Sequence, residues 1–194
     1  MTIKTSRTSS HWNYFLAVER DLEELSRFIE FDDRNFACFS LEVARILLAA
    51  GAEVDVICKQ ICQAVDPQSK ADNINAYRDL LVQHHPVIPK FTVEIPRYGL
   101  ALHPWDEWNK VAGVPLWWTA YNKTKHQRNT HYEHANLKNA LNAVAGLFVA
   151  ALYLYPNEAR AGELVPSANL LRPAAAHVAG TTFNDFEFGI NFAL

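Results

Sequence analysis

The stretch that decides the fold is "ALNAVAGLFVAALYLY", residues 140 to 155. It contains no Asp, Glu, Lys or Arg, and Pro156 ends the helix that it predicts, from about His131 to Tyr155. The run is about as long as a buried helix and falls short of the roughly 20 apolar residues that span a bilayer. We therefore expect a core helix of a soluble, cytoplasmic protein with no membrane segment.

Helical patterns also occupy most of the chain before this run. In the first, Phe15, Val18 and Leu22 recur at helical spacing, whereas Glu19 falls among charged residues on the other side. Ser40 is a plausible N-cap for a second, more apolar helix. Two further segments complete the set, "NINAYRDLLVQHH" at 73–85 and "LWWTAYNKTKHQR" at 116–128.

Two segments alternate with a period of two residues, which is typical of strands. Phe91, Val93 and Ile95 alternate with polar residues before a turn, which predicts a hairpin over about 91–102. Near the C-terminus, Phe186, Phe188, Ile190 and Phe192 also alternate with other residues. This pattern indicates a terminal strand that adds to the hairpin of its own subunit or of a neighbour.

Length and composition fit one hydrophobic core. The chain has 194 residues, of which 49% are hydrophobic and 20% charged, as in ordered globular proteins. We predict a mainly α fold, an up-and-down bundle of four to five helices over residues 10–155. The hairpin of about 91–102 is an insertion, and residues 156–194 form a C-terminal extension with strand character.

The sequence gives no reason to expect a metal or a cofactor. Cys38, Cys58 and Cys62 are too few for a disulfide framework. Cys58 and Cys62 lie four apart in an apolar helix pattern with no histidine nearby, which favours buried free thiols over a metal site. No glycine-rich phosphate loop or dinucleotide fingerprint occurs.

Charge is distributed unevenly along the chain, although the net charge is only −3. Residues 15–60 contain ten acidic and five basic side chains, a net of −5, whereas residues 110–138 contain five basic side chains and one acidic, a net of +4. Either the two segments neutralise each other by packing side by side, or the second presents a basic surface suited to phosphate.

The basic segment is densest at "YNKTKHQRNTHYEH", residues 121–134, which holds three histidines, two lysines and one arginine. It joins the helix of Trp117 and Trp118 to the long apolar helix. His131 and His134 are three apart and project to one side of that last helix, near Lys138. A polar, partly cationic cluster at the end of the bundle is therefore expected.

Within this segment, Arg128 is followed by Asn129 and, after five intervening residues, by His134. Arg78 is the other arginine that is followed by Asn or Asp and, a few residues on, by histidine, but only Arg128 precedes the long final helix. The arrangement resembles the HEPN superfamily, all-helical nucleotide-binding domains of prokaryotic defence and toxin–antitoxin systems. The resemblance covers about residues 10–155.

The resemblance implies a metal-independent endoribonuclease that acts as a homodimer, with both motifs facing one composite cleft. His134 would be the acid/base, Arg128 would hold the phosphate, and Asn129 would orient it. An antitoxin-like protein partner is implied as well. Further RNA contacts would come from Tyr121, Lys125, His126, His131 and Lys138, with Tyr121, Trp117 or Trp118 stacking a base.

Other interpretations of the same residues stay open. Many HEPN-like proteins lack catalysis, so the chain is alternatively a noncatalytic helical adaptor whose polar cluster and terminal strand bind partner proteins. A metal hydrolase is disfavoured, since Glu133 is the one acidic residue beside His131 and His134 and HExxH is absent.

Each site residue also has a structural interpretation. His134 would be a solvated or helix-capping histidine. Arg128 would pair with Glu133 or with the acidic pair Glu53 and Asp55. The two tryptophans would be core residues.

Overall fold

The computed structural model describes residues 8–184 and 187–194. The described part is mainly helical, as predicted, with small antiparallel sheets. Its α-helices are α1 Ser10–Leu25, α2 Leu41–Val65, α3 Ile74–His84, α4 Leu116–His131, α5 Leu137–Leu154 and α6 Pro156–Ala161.

Helix α5 forms the centre of the core. Residues 143–152 are all buried, and α5 packs chiefly along α2, with α1 and α4 also against it. By length and composition it is apolar enough to cross a membrane, but 78% of its 18-residue window is buried inside the fold. This burial is that of the core helix of a soluble protein.

Polar side chains define where helices begin. Ser40 Oγ accepts the Val43 N–H at 3.2 Å, which confirms Ser40 as the N-cap of α2. Asn136 Oδ1 accepts the Asn139 N–H at 3.1 Å and caps α5. The predicted start of the last helix at about His131 is therefore wrong, because the cap places it at Leu137.

The segment before α5 is less regular than a continuous helix. Gln127 has φ −139° and ψ 32°, which kinks α4 near its end, and residues 132–134 form a single 3₁₀ turn. The predicted one-sided arrangement of His131 and His134 on the final helix is thus replaced by a turn.

Two small sheets accompany the helices. Strands β1 Val93–Ile95 and β2 Leu100–Leu102 form the predicted antiparallel hairpin, and β3 Arg172–Pro173 pairs with the other edge of β1. The second sheet pairs β4 Val178–Asn184 with β5 Glu187–Phe192.

The terminal strand does not join the first hairpin in this chain. Strand β5 pairs with β4, and the short strand β3 takes the free edge of β1. Phe192 is buried and packs edge-on against Phe148 of α5, with ring centroids 5.9 Å apart. Phe186, part of the predicted alternation, lies outside the described residues.

Two buried side chains of α1, Trp12 and Glu19, dock the C-terminal extension through hydrogen bonds. The Glu19 carboxylate accepts the backbone N–H groups of Asn169, Leu170 and Leu171 at 2.8–3.0 Å. Trp12 Nε1–H donates to the Pro166 carbonyl at 2.9 Å. Glu19 is only 3% exposed. The sequence predicts it on the charged face of α1, but the C-terminal extension covers it.

Candidate functional site

The first half of α4 is anchored in the core. Trp117 and Trp118 are 2% and 6% exposed, and Trp117 Nε1–H donates to the Pro104 carbonyl at 2.7 Å. A Cβ at Gly146 would lie 2.8 Å from the Trp117 ring, so the absence of a side chain on α5 permits this packing. The core interpretation of both tryptophans is confirmed, and neither is open to a nucleobase.

Tyr121 lies at the base of the polar segment. Its ring is 4% exposed and lies against Gly51 of α2, where a Cβ would be 2.5 Å from the ring. Lys125 Nζ lies 3.4 Å from the Tyr121 hydroxyl and 5.5 Å from the ring centroid. Tyr121 therefore supports Lys125, and its ring face is not available to stack a base.

Beyond Tyr121, α4 turns outward into solvent. Residues 125–130 are all exposed. Four of them border a shallow groove of about 750 Å³, here called the α4 groove, which is lined by Leu48, Thr124, Lys125, His126, Arg128, Asn129 and Tyr132. No Asp or Glu is among these described lining residues, so nothing in the lining offsets the charges of Lys125 and Arg128.

Arg128 forms no ion pair with any residue in 8–184 or 187–194. The acidic groups that sequence reasoning offered to it have other partners. Glu53 contacts His11 Nδ1 at 2.6 Å, Asp55 contacts Lys59 at 2.5 Å, and Glu133 lies beside two histidines. The guanidinium is thus left facing solvent at the groove.

The floor of the α4 groove contains a polar group that sequence reasoning missed. Thr124 is 2% exposed, and its Oγ1 has no hydrogen-bond partner among the described residues. A buried hydroxyl without a partner costs free energy unless a ligand or water completes it. Periodicity could not identify Thr124, because helical spacing does not show which hydroxyl lacks a partner.

His134 lies outside the α4 groove, in a second group with His131 and Glu133. Its Nε2 is 3.6 Å from Glu133 Oε1, and Glu133 Oε1 is 3.9 Å from His131 Nδ1. The two imidazole rings are 5.5 Å apart. We call these three residues the imidazole–carboxylate cluster. The predicted catalytic set is therefore divided, with Arg128 and Asn129 at the groove and His134 at the turn.

Lys123 is a further neighbour of His134 that sequence reasoning did not select. Its Nζ lies 3.1 Å from His134 Nε2. An ammonium group has only donors, so a charged Lys123 requires Nε2 to be the acceptor nitrogen of His134. The contact crosses the kink at Gln127, and regular helical spacing could not have predicted it.

Lys138 belongs to a different surface from the groove. It borders a pocket of about 330 Å³ between β2 and α5, whose floor includes Leu102, Pro104 and Trp117. Asn139 lines the same pocket and also donates through Nδ2 to the His134 carbonyl at 2.9 Å. Lys138 is thus not one of the residues that line the α4 groove.

Two of the three cysteines are buried in the core. Cys58 and Cys62 are buried and free, as expected from the sequence. Burial raises the pKa of Cys62 to about 11 and that of Cys58 well above its usual value. Both thiols therefore stay protonated at neutral pH.

In comparisons with known proteins, no family model, curated protein or solved structure matches the chain.

Proposed function

We propose that this chain is a HEPN-like helical bundle protein that binds RNA in the α4 groove and cleaves it without a metal ion. The observation that supports this proposal best is the unopposed positive charge of the groove. Lys125 and Arg128 face solvent there, His126 lies between them, and none of the described lining residues is acidic. Such a surface attracts phosphate even in a protein with a net charge of −3.

The groove also offers contacts beyond charge. The planar guanidinium of Arg128 matches two phosphate oxygens, and the adjacent Asn129 amide can donate to a third. The half-buried Tyr132 ring provides an aromatic surface beside these groups, on which an unpaired base could stack.

The proposed reaction is attack of a ribose 2′-oxygen on the adjacent phosphate. The 2′-hydroxyl gives its proton to a base, the new O–P bond forms as the bond to the 5′-oxygen breaks, and that oxygen receives a proton. The products are a 2′,3′-cyclic phosphate and a 5′-hydroxyl. His134 transfers the protons, while Arg128 stabilises the charge on phosphorus.

This chemistry requires a second protomer. His134 does not line the groove of its own chain, so one copy does not unite its own Arg128 with its own His134. We propose a homodimer in which the motifs of two chains face one composite cleft, as in the HEPN-like arrangement. An antitoxin-like protein partner and a cytoplasmic location belong to the same proposal.

Cleavage of a mixed RNA pool in EDTA tests the proposal. We expect the wild type to cleave, Arg128→Ala to lose RNA affinity, and His134→Ala to lose about 100-fold or more of the cleavage rate while still binding RNA. His84→Ala is the control, since His84 is exposed at the end of α3. Cleavage that survives in both site variants, or none in the wild type, would contradict the proposed activity.

One observation favours a noncatalytic adaptor instead. Phe183 and Phe188 are 56% and 70% exposed on the β4–β5 hairpin, with ring centroids 4.6 Å apart. Adjacent exposed phenylalanines are typical of a protein-binding surface. If the wild type neither retains nor cleaves RNA, and a partner protein binds it but not Phe183→Ser/Phe188→Ser, the adaptor is the better interpretation.

A further inference from the structure

The imidazole–carboxylate cluster of His131, Glu133 and His134 is a group of metal-binding side chains that the RNA proposal uses only in part. One ligand atom from each residue lies within 4.8 Å of the other two. Two imidazole nitrogens and one carboxylate oxygen are a donor set that zinc and related ions use. We propose that this cluster binds one divalent transition-metal ion of the zinc class.

The distances between the donor atoms are close to those of a metal site. Zinc bonds to nitrogen and oxygen are about 2.0–2.2 Å, so ligand atoms in a tetrahedral site lie roughly 3.4 Å apart. Glu133 Oε1 is 3.6 Å from His134 Nε2 and 3.9 Å from His131 Nδ1. The third pair, His131 and His134, lies within 4.8 Å, so side-chain rotations would bring all three donors onto one ion.

The backbone of the turn is held in place, and the three side chains are partly exposed. Ala135 N–H donates to the Tyr132 carbonyl at 2.9 Å, and Asn139 Nδ2 donates to the His134 carbonyl at 2.9 Å. The side chains of His131, Glu133 and His134 are 36%, 60% and 35% exposed. An ion can thus enter from solvent without unpacking the core, and three protein ligands leave a coordination position for water.

Lys123 bears on this assignment because its cationic group contacts one ligand atom of the cluster. Its Nζ lies 3.1 Å from His134 Nε2, on the side where the ring nitrogen presents a lone pair to a donor. A metal ion would take the same lone pair and would repel the ammonium. Lys123 must therefore swing away when the ion binds, and its charge weakens binding in the wild type.

The ion would also control His134. A metal bound at Nε2 occupies the lone pair that accepts a proton, so the imidazole no longer acts as acid or base. Binding would therefore inhibit cleavage, a consequence that rests on the proposed ribonuclease function, whereas the metal site itself does not.

The direct test is titration of the chelator-stripped full chain with Zn²⁺ by calorimetry and with Co²⁺ by visible absorption. We expect one ion per chain, and d–d bands without a thiolate-to-cobalt charge-transfer band. His131→Ala, His134→Ala and Glu133→Gln should each lower the affinity, about tenfold or more for the histidines. Lys123→Ala should raise it several-fold, a result that a nonspecific surface site would not give.

Two controls address other metal-binding side chains. Cys38→Ser removes the one exposed cysteine of the described chain, and His84→Ala removes an exposed histidine away from the cluster. Neither should change the affinity. Absence of saturable binding, a thiolate band, or binding that survives both His131→Ala and His134→Ala would overturn the metal site.

The consequence for cleavage is tested separately, with saturating Zn²⁺ against EDTA in the wild type. Inhibition supports control of His134 by the ion, whereas equal cleavage in both conditions overturns it. If the wild type binds one ion through the cluster but cleaves no RNA in either condition, the metal site stands and the ribonuclease proposal fails.

Discussion

The docked C-terminal extension and the α4 groove differ in whether their charged and polar groups have partners. At the extension, the buried Glu19 carboxylate has three backbone N–H donors, and Trp12 Nε1–H has a carbonyl acceptor. At the groove, Arg128 has no ion-pair partner within the described chain, and the Thr124 hydroxyl has no hydrogen bond there. The partnered groups at the extension hold the fold together, whereas the exposed guanidinium of Arg128 is available to a ligand.

This contrast follows from the cost of burying polar groups. A buried carboxylate is tolerated only when donors replace its water, so Glu19 and the residues that it contacts must stay together. An exposed guanidinium keeps its water and adds little to stability. Substitution of buried Glu19 should therefore lower stability, whereas substitution of exposed Arg128 should lower RNA binding.

The largest expected effect on stability is at Glu19. Glu19→Ala leaves the buried N–H groups of Leu170 and Leu171 and the partly buried N–H of Asn169 without an acceptor, and each unsatisfied buried donor costs on the order of 1 kcal/mol or more. We expect the free energy of unfolding to fall by about 3 kcal/mol, measured by urea denaturation.

Glu24→Ala is the matched control for Glu19→Ala. Glu24 lies on the same helix with its side chain 66% exposed, and it pairs only loosely with Arg20, at 3.9 Å. It should change stability by less than about 0.5 kcal/mol. Equal effects at Glu19 and Glu24 would mean that the extension is not docked through Glu19.

The next largest effect is expected where α2 supports the groove. A Cβ at Gly51 would lie 2.5 Å from the Tyr121 ring, so Gly51→Ala must displace that ring and the Lys125 ammonium near it. Overpacking of this kind costs about 1–3 kcal/mol. Both the melting temperature and RNA affinity should fall, and Ala52→Ser, at an exposed position of α2, should change neither. RNA affinity that is unaffected by Gly51→Ala would show that Tyr121 does not position Lys125.

A smaller, pH-dependent effect is expected at His177 in the extension. The Thr92 N–H donates to His177 Nε2 at 3.1 Å, and the ring stacks on Phe91 with centroids 4.0 Å apart. Burial lowers the pKa of His177 below its usual 6.5, although a hydrogen bond to the Lys90 backbone acts the other way. The folded chain therefore takes up this proton less readily than the unfolded chain.

The sign of the effect follows from this difference. The stabilisation by neutral His177 is complete above about pH 6.5 and is lost as the pH falls from there through the lowered pKa of the folded state. Loss of the Thr92 hydrogen bond is worth on the order of 1 kcal/mol. The free energies of unfolding of the wild type and of His177→Gln should become equal as the pH falls from neutral to mildly acidic. A difference that stays constant with pH would contradict the assignment.

The features that sequence predicted are those that local patterns determine. Each of these features depends on residues close together in the chain: the apolar run of α5, the Ser40 N-cap, the core position of Trp117 and Trp118, and the β1–β2 hairpin. Helical or strand periodicity and a capping side chain are sufficient for each of them.

The features that it missed depend on distant partners. The spacing along α1 places Glu19 on the charged face, but residues 169–171, about 150 positions away, bury it. The terminal strand pairs with β4, since β3 occupies the edge of β1. The contact between Lys123 and His134 exists only because α4 kinks at Gln127.

The smallest effect on stability is expected at Arg128. This residue also gives the sharpest test of the difference between the extension and the α4 groove. Because this side chain has no ion-pair partner in the described chain, Arg128→Ala should change the free energy of unfolding by less than about 0.5 kcal/mol. RNA affinity, measured by fluorescence anisotropy, should fall, and its dependence on salt should weaken by about one phosphate contact. Arg27→Ala, at an exposed arginine after α1, should leave both unchanged. If both variants weaken binding equally, the groove is not the RNA site, because net charge alone would then explain the affinity.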